Sequence, residues 1–186
     1  MDILASDGAP RDLRRYLLAW RLMARKVRTH TIWAMTAFSR HKQRRMRRGW
    51  GITGDMRHRG PSPTSLERFT CSPRARSEGA AIVAFCRLYG GVLPSQLTRV
   101  PRHKLLTLEL GERLCPTYEA FHACLPQCKL EFEDLMSLVL GIARNEDIRL
   151  GRCASCGATL LSDRLAPRHR TCPYCQEKHI DEAGGG

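Results

Sequence analysis

Four cysteines carry the clearest chemistry in this 186-residue chain: Cys153-Ala-Ser-Cys156 and, fifteen residues further on, Cys172-Pro-Tyr-Cys175. Each C-x-x-C pair makes a tight turn that points two sulfurs at one ion. Two such knuckles at this separation are a strong signature of a four-cysteine metal site. Gly157 follows the first knuckle, where a residue with positive φ is often needed. Four thiolates complete a tetrahedron and leave no position for water or substrate. The expected cofactor is therefore one structural zinc ion on Cys153, Cys156, Cys172 and Cys175. An iron–sulfur cluster would accept the same four thiolates, and a redox C-x-x-C is the third reading. A module of about 30 residues buries little core, and a metal can substitute for it. His169 lies near the knuckles but reads as a basic loop residue, because four cysteines already complete the set. The other five cysteines, Cys71, Cys86, Cys115, Cys124 and Cys128, read as small hydrophobes.

The second chemically loaded feature is charge. The net charge is +13, and the segment Arg11–Arg59 alone holds fifteen Lys/Arg against only Asp12 and Asp55. The stretch Lys104–Ile148 has the opposite sign, with four basic residues against eight acidic ones. One end of the chain is built to meet a polyanion and the middle is not. Nucleic acid is the expected partner; an anionic membrane surface or a merely solvated face would leave the same signature.

The densest charge is Arg40-His41-Lys42-Gln43-Arg44-Arg45-Met46-Arg47-Arg48. Ser39 ahead of it reads as a helix N-cap. Thr29–Thr36, then Ala37-Phe38-Ser39, then Arg40–Trp50 fits a helix–turn–helix, in which the second helix enters the major groove of double-stranded DNA. The DNA-binding candidates are Arg40, Lys42, Gln43, Arg44, Arg45, Arg47 and Arg48. Arg can read guanine edges and Gln adenine, but most of these side chains should meet phosphate. A surface helix with a basic face is the plainer reading. Met46 and Trp50, four apart, share one face and would hold the helix in place.

The elements around these sites read as mainly helical. Residues 1–10 form a loose N-terminus. From Arg11 a helix places Leu13, Leu17, Trp20 and Ala24 at helical spacing, with Leu18, Leu22 and Val27 broadening the stripe. Glycines and prolines over 51–72 suggest a linker. Ser72-Pro73 reads as N-cap and first helical position of a helix burying Ala81, Ile82, Phe85, Leu88 and Tyr89 and stopping at Gly90-Gly91. A helix near Arg102–Arg113 should end before Pro116, with a short one near Thr117–Leu125 and a strong one near Phe132–Arg144. From Ile148 the pattern suggests short strands around cysteine turns. The expected organisation is a basic helical region over 11–50, a linker over 51–72, a helical core over 73–147, a zinc-ribbon-like module over 148–180 and a tail over 181–186. The fold class is mainly α, a helical domain with a helix–turn–helix-like element and a small C-terminal four-cysteine module.

Three stretches taken in order carry a family resemblance: Ala19-Trp-Arg-Leu-Met-Ala-Arg through Phe38-Ser39-Arg40; Arg57-His-Arg-Gly-Pro-Ser-Pro63 leading into Ser72-Pro-Arg through Val92-Leu-Pro94; and Leu150-Gly-Arg-Cys-Ala-Ser-Cys156 with Cys172-Pro-Tyr-Cys175. The chain resembles the FlhC family, the C subunit of the bacterial flagellar master transcription regulator, over roughly residues 15–178. The resemblance implies a mostly helical protein with zinc on the same four cysteines. It further implies a hetero-oligomer with the small D subunit (FlhD), binding to flagellar promoters, and recruitment of RNA polymerase as an indirect partner. It also implies an apolar residue at position 43, where this chain has Gln43.

The expected function is therefore a DNA-binding transcriptional activator subunit, with a zinc-containing RNA-binding protein as the alternative. Single-stranded RNA readers display aromatic rings for stacking, and none interleaves with Arg40–Arg48. No Gly-rich phosphate loop, G-x-S-x-G or H-E-x-x-H motif is present, and no histidine sits beside a clear nucleophile, so no enzymatic activity is expected. No apolar run reaches the roughly 18 residues of a membrane span, and no secretory signal is visible, so a cytoplasmic protein without a membrane partner is expected.

Overall fold

The computed structural model describes residues 8–52, 65–90, 105–144, 146–165 and 170–183. Seven α-helices and one two-stranded sheet occur among them. The chain divides into two compact units, Met1–Pro61 with Pro101–Cys115, and Ser62–Val100 with Pro116–Gly186. The 73–147 stretch expected as one helical core is thus shared between the two, and the cysteine module belongs to the second.

The first unit contains α1 (Gly8–Ala24), α2 (Thr29–Thr36), α3 (Arg40–Gly49) and the opening turns of α5 (Leu108–Cys124). Leu18, Ala19, Leu22 and Met23 of α1 are buried. The stripe expected to lead into the core, Leu13, Leu17 and Trp20, instead lies on the exposed side. The helix is apolar on two faces, and the core takes the one with the small Ala19. Gly111 of α5 permits close approach on that face, since a Cβ at Gly111 would lie 2.7 Å from Leu18 Cδ2 and 3.1 Å from Met35 Sδ. α1 ends in a Schellman turn, with Val27 N–H donating to Leu22 O at 3.0 Å and Lys26 in the left-handed region at φ 59°. α2 ends on Ala37, also left-handed at φ 59°, whose N–H donates to Trp33 O at 2.7 Å. Ser39 then caps α3 as expected, its Oγ accepting from Lys42 N at 3.2 Å.

In the second unit, a 3₁₀ turn at Glu67–Phe69 leads into α4 (Pro73–Phe85). The turn falls within the expected linker, yet Leu66 and Phe69 are buried. Ser72 caps α4 by accepting from Ala75 N at 3.1 Å, with Pro73 in the first turn, where no N–H is missed. α4 buries Gly79, Ile82 and Val83, and runs on into a π-helical turn, Cys86–Gly90, whose first residue is also buried. Leu88 and Tyr89, expected to be buried, are exposed at 78 and 60 %, because that turn follows the helix off its packed face.

The expected break before Pro116 does not occur: α5 runs through it to Cys124. Proline removes one hydrogen bond and crowds the preceding turn. Here Leu114, Cys115, Thr117 and Phe121 are all fully buried around it, and that burial outweighs the local cost. α6 (Phe132–Ala143) buries every residue. Its N-terminus is closed by a reciprocal capping box between Glu131 and Asp134, Glu131 N–H donating to Asp134 Oδ2 at 2.8 Å. Arg68 pairs with the other oxygen of the buried Asp134. Strands β1 (Ile148–Arg152) and β2 (Thr159–Asp163) pair antiparallel, from Ile148 opposite Asp163 to Arg152 opposite Thr159. β2 packs on α4 so closely that a Cβ at Gly79 would lie 2.8 Å from Leu161 Cδ2.

Candidate metal centre and basic face

The β1–β2 hairpin places the first knuckle. Its two strands leave residues 153–158 as the connection, where Cys153 N–H donates to Ala158 O at 2.8 Å and Gly157 N–H donates to Cys153 O at 2.9 Å. Gly157 has φ +71°, the conformation glycine adopts without penalty. The second knuckle is joined to the first through Ala154 N–H donating to Arg170 O at 2.8 Å. It opens helix α7 (Pro173–Ala183), with Cys175 in the first turn. This helix was expected as strand and turn. Pro173 at a helix start, followed by Gln176, Glu177 and Lys178, is the signal that could have found it.

The four sulfurs lie within 4.8 Å of one another, and Cys156 Sγ is 3.7 Å from Cys172 Sγ. An ion about 2.3 Å from each sulfur of a tetrahedron spaces the sulfurs roughly 3.8 Å apart. Cys153, Cys156, Cys172 and Cys175 therefore form a group that could hold a metal ion. Cys172 N–H donates to Cys153 Sγ at 3.3 Å. Backbone donors from Cys156, Cys172 and Ser155 pull the Cys153 thiol down to about 6, whereas a side-chain hydrogen bond with Cys172 and burial push Cys175 up to about 12. A bound cation would add the positive charge that favours thiolates at such a site. Cys153, Leu160 and Cys175 form a small buried cluster with Cys172 packed on it. Three of its four members are candidate ligands, so the module's local core and its candidate metal site are the same object.

No other group of three or more metal-ligating side chains occurs among the described residues. Cys86, Cys115 and Cys128 are buried and Cys71 and Cys124 exposed. Burial raises the Cys86 thiol to about 12, which removes it as a nucleophile. The ring of His122 is engaged with Leu130 O at 2.8 Å. His169 lies outside the described residues.

The second site is α3. Arg40, Arg44 and Arg48, spaced by four, are exposed, as are His41 and Arg45. The four arginines form one continuous cationic face, with His41 beside them, on a helix without an acidic residue. Lys42 is half-buried, its ammonium 3.9 Å from the centre of the Phe38 ring and 4.6 Å from that of Tyr16. Two of the predicted DNA-contacting residues are corrected. Gln43 is 1 % and Arg47 2 % exposed. Gln43 Nε2 donates to Phe38 O at 2.8 Å and Thr29 O at 3.1 Å, and Arg47 Nη2 donates to Val27 O at 3.5 Å. Together with Met46 they make the inward face of α3, so a polar amide ties the second helix to the first where an apolar residue would otherwise sit. Trp50, expected to share the anchoring face with Met46, is 38 % exposed.

No protein-family model matches the chain, and no curated protein is significantly similar to it. No helix is long and apolar enough, among the described residues, to cross a membrane.

Proposed function

We propose that this chain is a DNA-binding subunit of a transcriptional activator. In this reading α2 and α3 act as a helix–turn–helix, and one structural Zn²⁺ closes a ribbon-like module on Cys153, Cys156, Cys172 and Cys175. The observation that carries it is the exposed face of α3. Arg40, Arg44, Arg45 and Arg48 lie on one side of a helix that a three-residue connection and the Gln43 amide hold against its neighbour. Cationic side chains at four-residue spacing follow a phosphate backbone and place the helix N-terminus toward the groove. Zinc is the natural occupant of four thiolates without an open position. The resemblance to the FlhC family supplies the remainder of the reading: a cytoplasmic hetero-oligomer with a small D-type subunit, flagellar or related promoters as targets, and RNA polymerase as the indirect partner.

A second reading, binding of single-stranded RNA, is favoured by one observation. A groove of about 580 Å³ beside α3 is lined by Tyr16, Trp50, His41, Lys42 and Arg45, which combines ring faces with cations as base stacking requires.

The test is a gel-shift titration of the zinc-loaded chain, alone and co-purified with the D-type subunit, on a flagellar promoter fragment. Competitors are unrelated duplex and single-stranded RNA. The proposal expects the complex to retain the promoter against unrelated duplex. Equal competition by any duplex would remove promoter recognition, and preferential loss to RNA would put the second reading first.

A further inference from the structure

The groove of about 580 Å³ beside α3 holds two rings, Tyr16 and Trp50, and three basic side chains, His41, Lys42 and Arg45, with no acidic residue among its lining. Tyr16 is committed elsewhere: its ring packs on Phe38 at 4.9 Å, and the Lys42 ammonium lies 4.6 Å from its centre. Trp50 is not. It is 38 % exposed, and its ring meets no other ring and no cation among the described residues. His41 and Arg45 are exposed, and their side chains make no hydrogen bond or ion pair among the described residues. Gly49 also lines the groove, and a Cβ there would meet nothing within 4 Å, so the space next to Trp50 is open.

We infer that this groove binds one nucleotide unit, its base stacked on Trp50 and its phosphates on Arg45 and His41. Ring and cations select this ligand together. A ring alone would take any flat apolar molecule, and cations alone would take any polyanion; a nucleotide carries a planar base and phosphate in one molecule. Stacking on an aromatic ring tolerates every base, so the site selects nucleotides as a class and not one base. His41 and Arg45 stand four residues apart, on one side of the helix, where both can donate to oxygens of the same phosphate group. The guanidinium fork suits phosphate oxygens, which makes Arg45 the main anion contact. Trp50 lies five residues beyond Arg45, about 7.5 Å along the helix axis, and the sugar between base and phosphate spans such a separation. Lys42, held over Tyr16 and Phe38, adds positive charge to the groove from a fixed position.

The inference rests on the groove of the single-strand reading above and narrows its ligand to one unit. The experiment is isothermal titration of the full zinc-loaded chain with ADP, adenosine and pyrophosphate at low salt. ADP should bind roughly tenfold tighter than either of its halves. Trp50→Leu should weaken ADP roughly tenfold, the size of one stacking contact. Arg45→Ala should bring ADP down to the affinity of adenosine and leave adenosine unchanged. Both side chains are exposed, so far-ultraviolet circular dichroism should match wild type in each variant. A short oligoadenylate, with a 5′-phosphate or a 5′-hydroxyl, separates the sources of the unit. Displacement of ADP by the phosphorylated strand alone assigns the site to a strand end, displacement by both to a unit within a strand, and displacement by neither to a free nucleotide. ADP binding without RNA binding would remove the single-strand reading and keep this inference. A strand that binds where ADP does not, pyrophosphate that binds as tightly as ADP, or an ADP affinity that ignores Trp50→Leu would overturn it.

Discussion

Replacing Arg40, Arg44, Arg45 and Arg48 together by Ala tests the α3 reading most directly, because the four side chains are exposed. Alanine is the strongest helix former, so α3 itself should survive. If each arginine neutralises one phosphate, the slope of log K against log salt should become shallower by about 0.9 per side chain, or roughly 3.6 in all. Over a fourfold rise in salt, from about 50 to 200 mM, the wild-type complex should then lose roughly 150-fold more affinity than the variant. Gel shifts or anisotropy titrations at four salt concentrations read this out. Gln43→Leu serves as the internal control. It removes two internal hydrogen bonds and should shift the unfolding midpoint while leaving the slope near its wild-type value. An unchanged slope in the quadruple variant would refute the assignment of α3 to phosphate, and a changed slope in the Gln43 variant would refute the separation of inner and outer faces.

Three further outcomes follow from named contacts. If the proposed zinc is structural, Cys172→Ser, or chelation of the wild-type chain, should release one zinc per chain and melt the β1–β2 hairpin, because three of the four members of the local cluster are candidate ligands; atomic absorption and amide exchange over 148–163 would show it, and a protected hairpin without metal would contradict the structural role. Arg68→Ala should cost more than Asp134→Asn, roughly 3 against 1–2 kcal/mol in urea unfolding, because the first leaves a fully buried carboxylate without its cation, with the Glu131 N–H still donating to it, whereas the second frees an arginine that water can reach; the reverse order would refute that reasoning. The Arg14 guanidinium, by hydrogen bond and charge, holds Glu112 below the ordinary glutamate value of 4.5. A depressed carboxylate pKa stabilises the fold above that value and ceases to do so as pH falls through the folded pKa. The thermal-midpoint gap between wild type and Arg14→Ala should therefore be steady at neutral pH and close on acidification below 4.5; a gap independent of pH would remove the pair as its source.

The parts of this protein legible in its sequence are those whose geometry is local. Two C-x-x-C turns specify two ligand pairs within a few residues each. Ser39 and Ser72 cap helices through amides three residues away, and the density of arginine over 40–48 is visible without any fold. The sequence alone therefore determined the four-cysteine group, the start of α3 and the sign of its exposed face. Tertiary packing decided which side of each helix is the inside. α1 is apolar on two faces, and the core takes the one whose Leu18 packs against Gly111, which sends Leu13, Leu17 and Trp20 outward. Gln43 and Arg47 look like DNA-facing residues by type, yet they face inward because α3 must pack on α2 and the carbonyls of Thr29 and Phe38 need donors there. Pro116 reads as a helix end by local rules, but the burial of Leu114, Thr117 and Phe121 carries α5 through it. Each of these choices compares two non-local packings of the same residues, and that free-energy difference depends on neighbours tens of positions away in the chain.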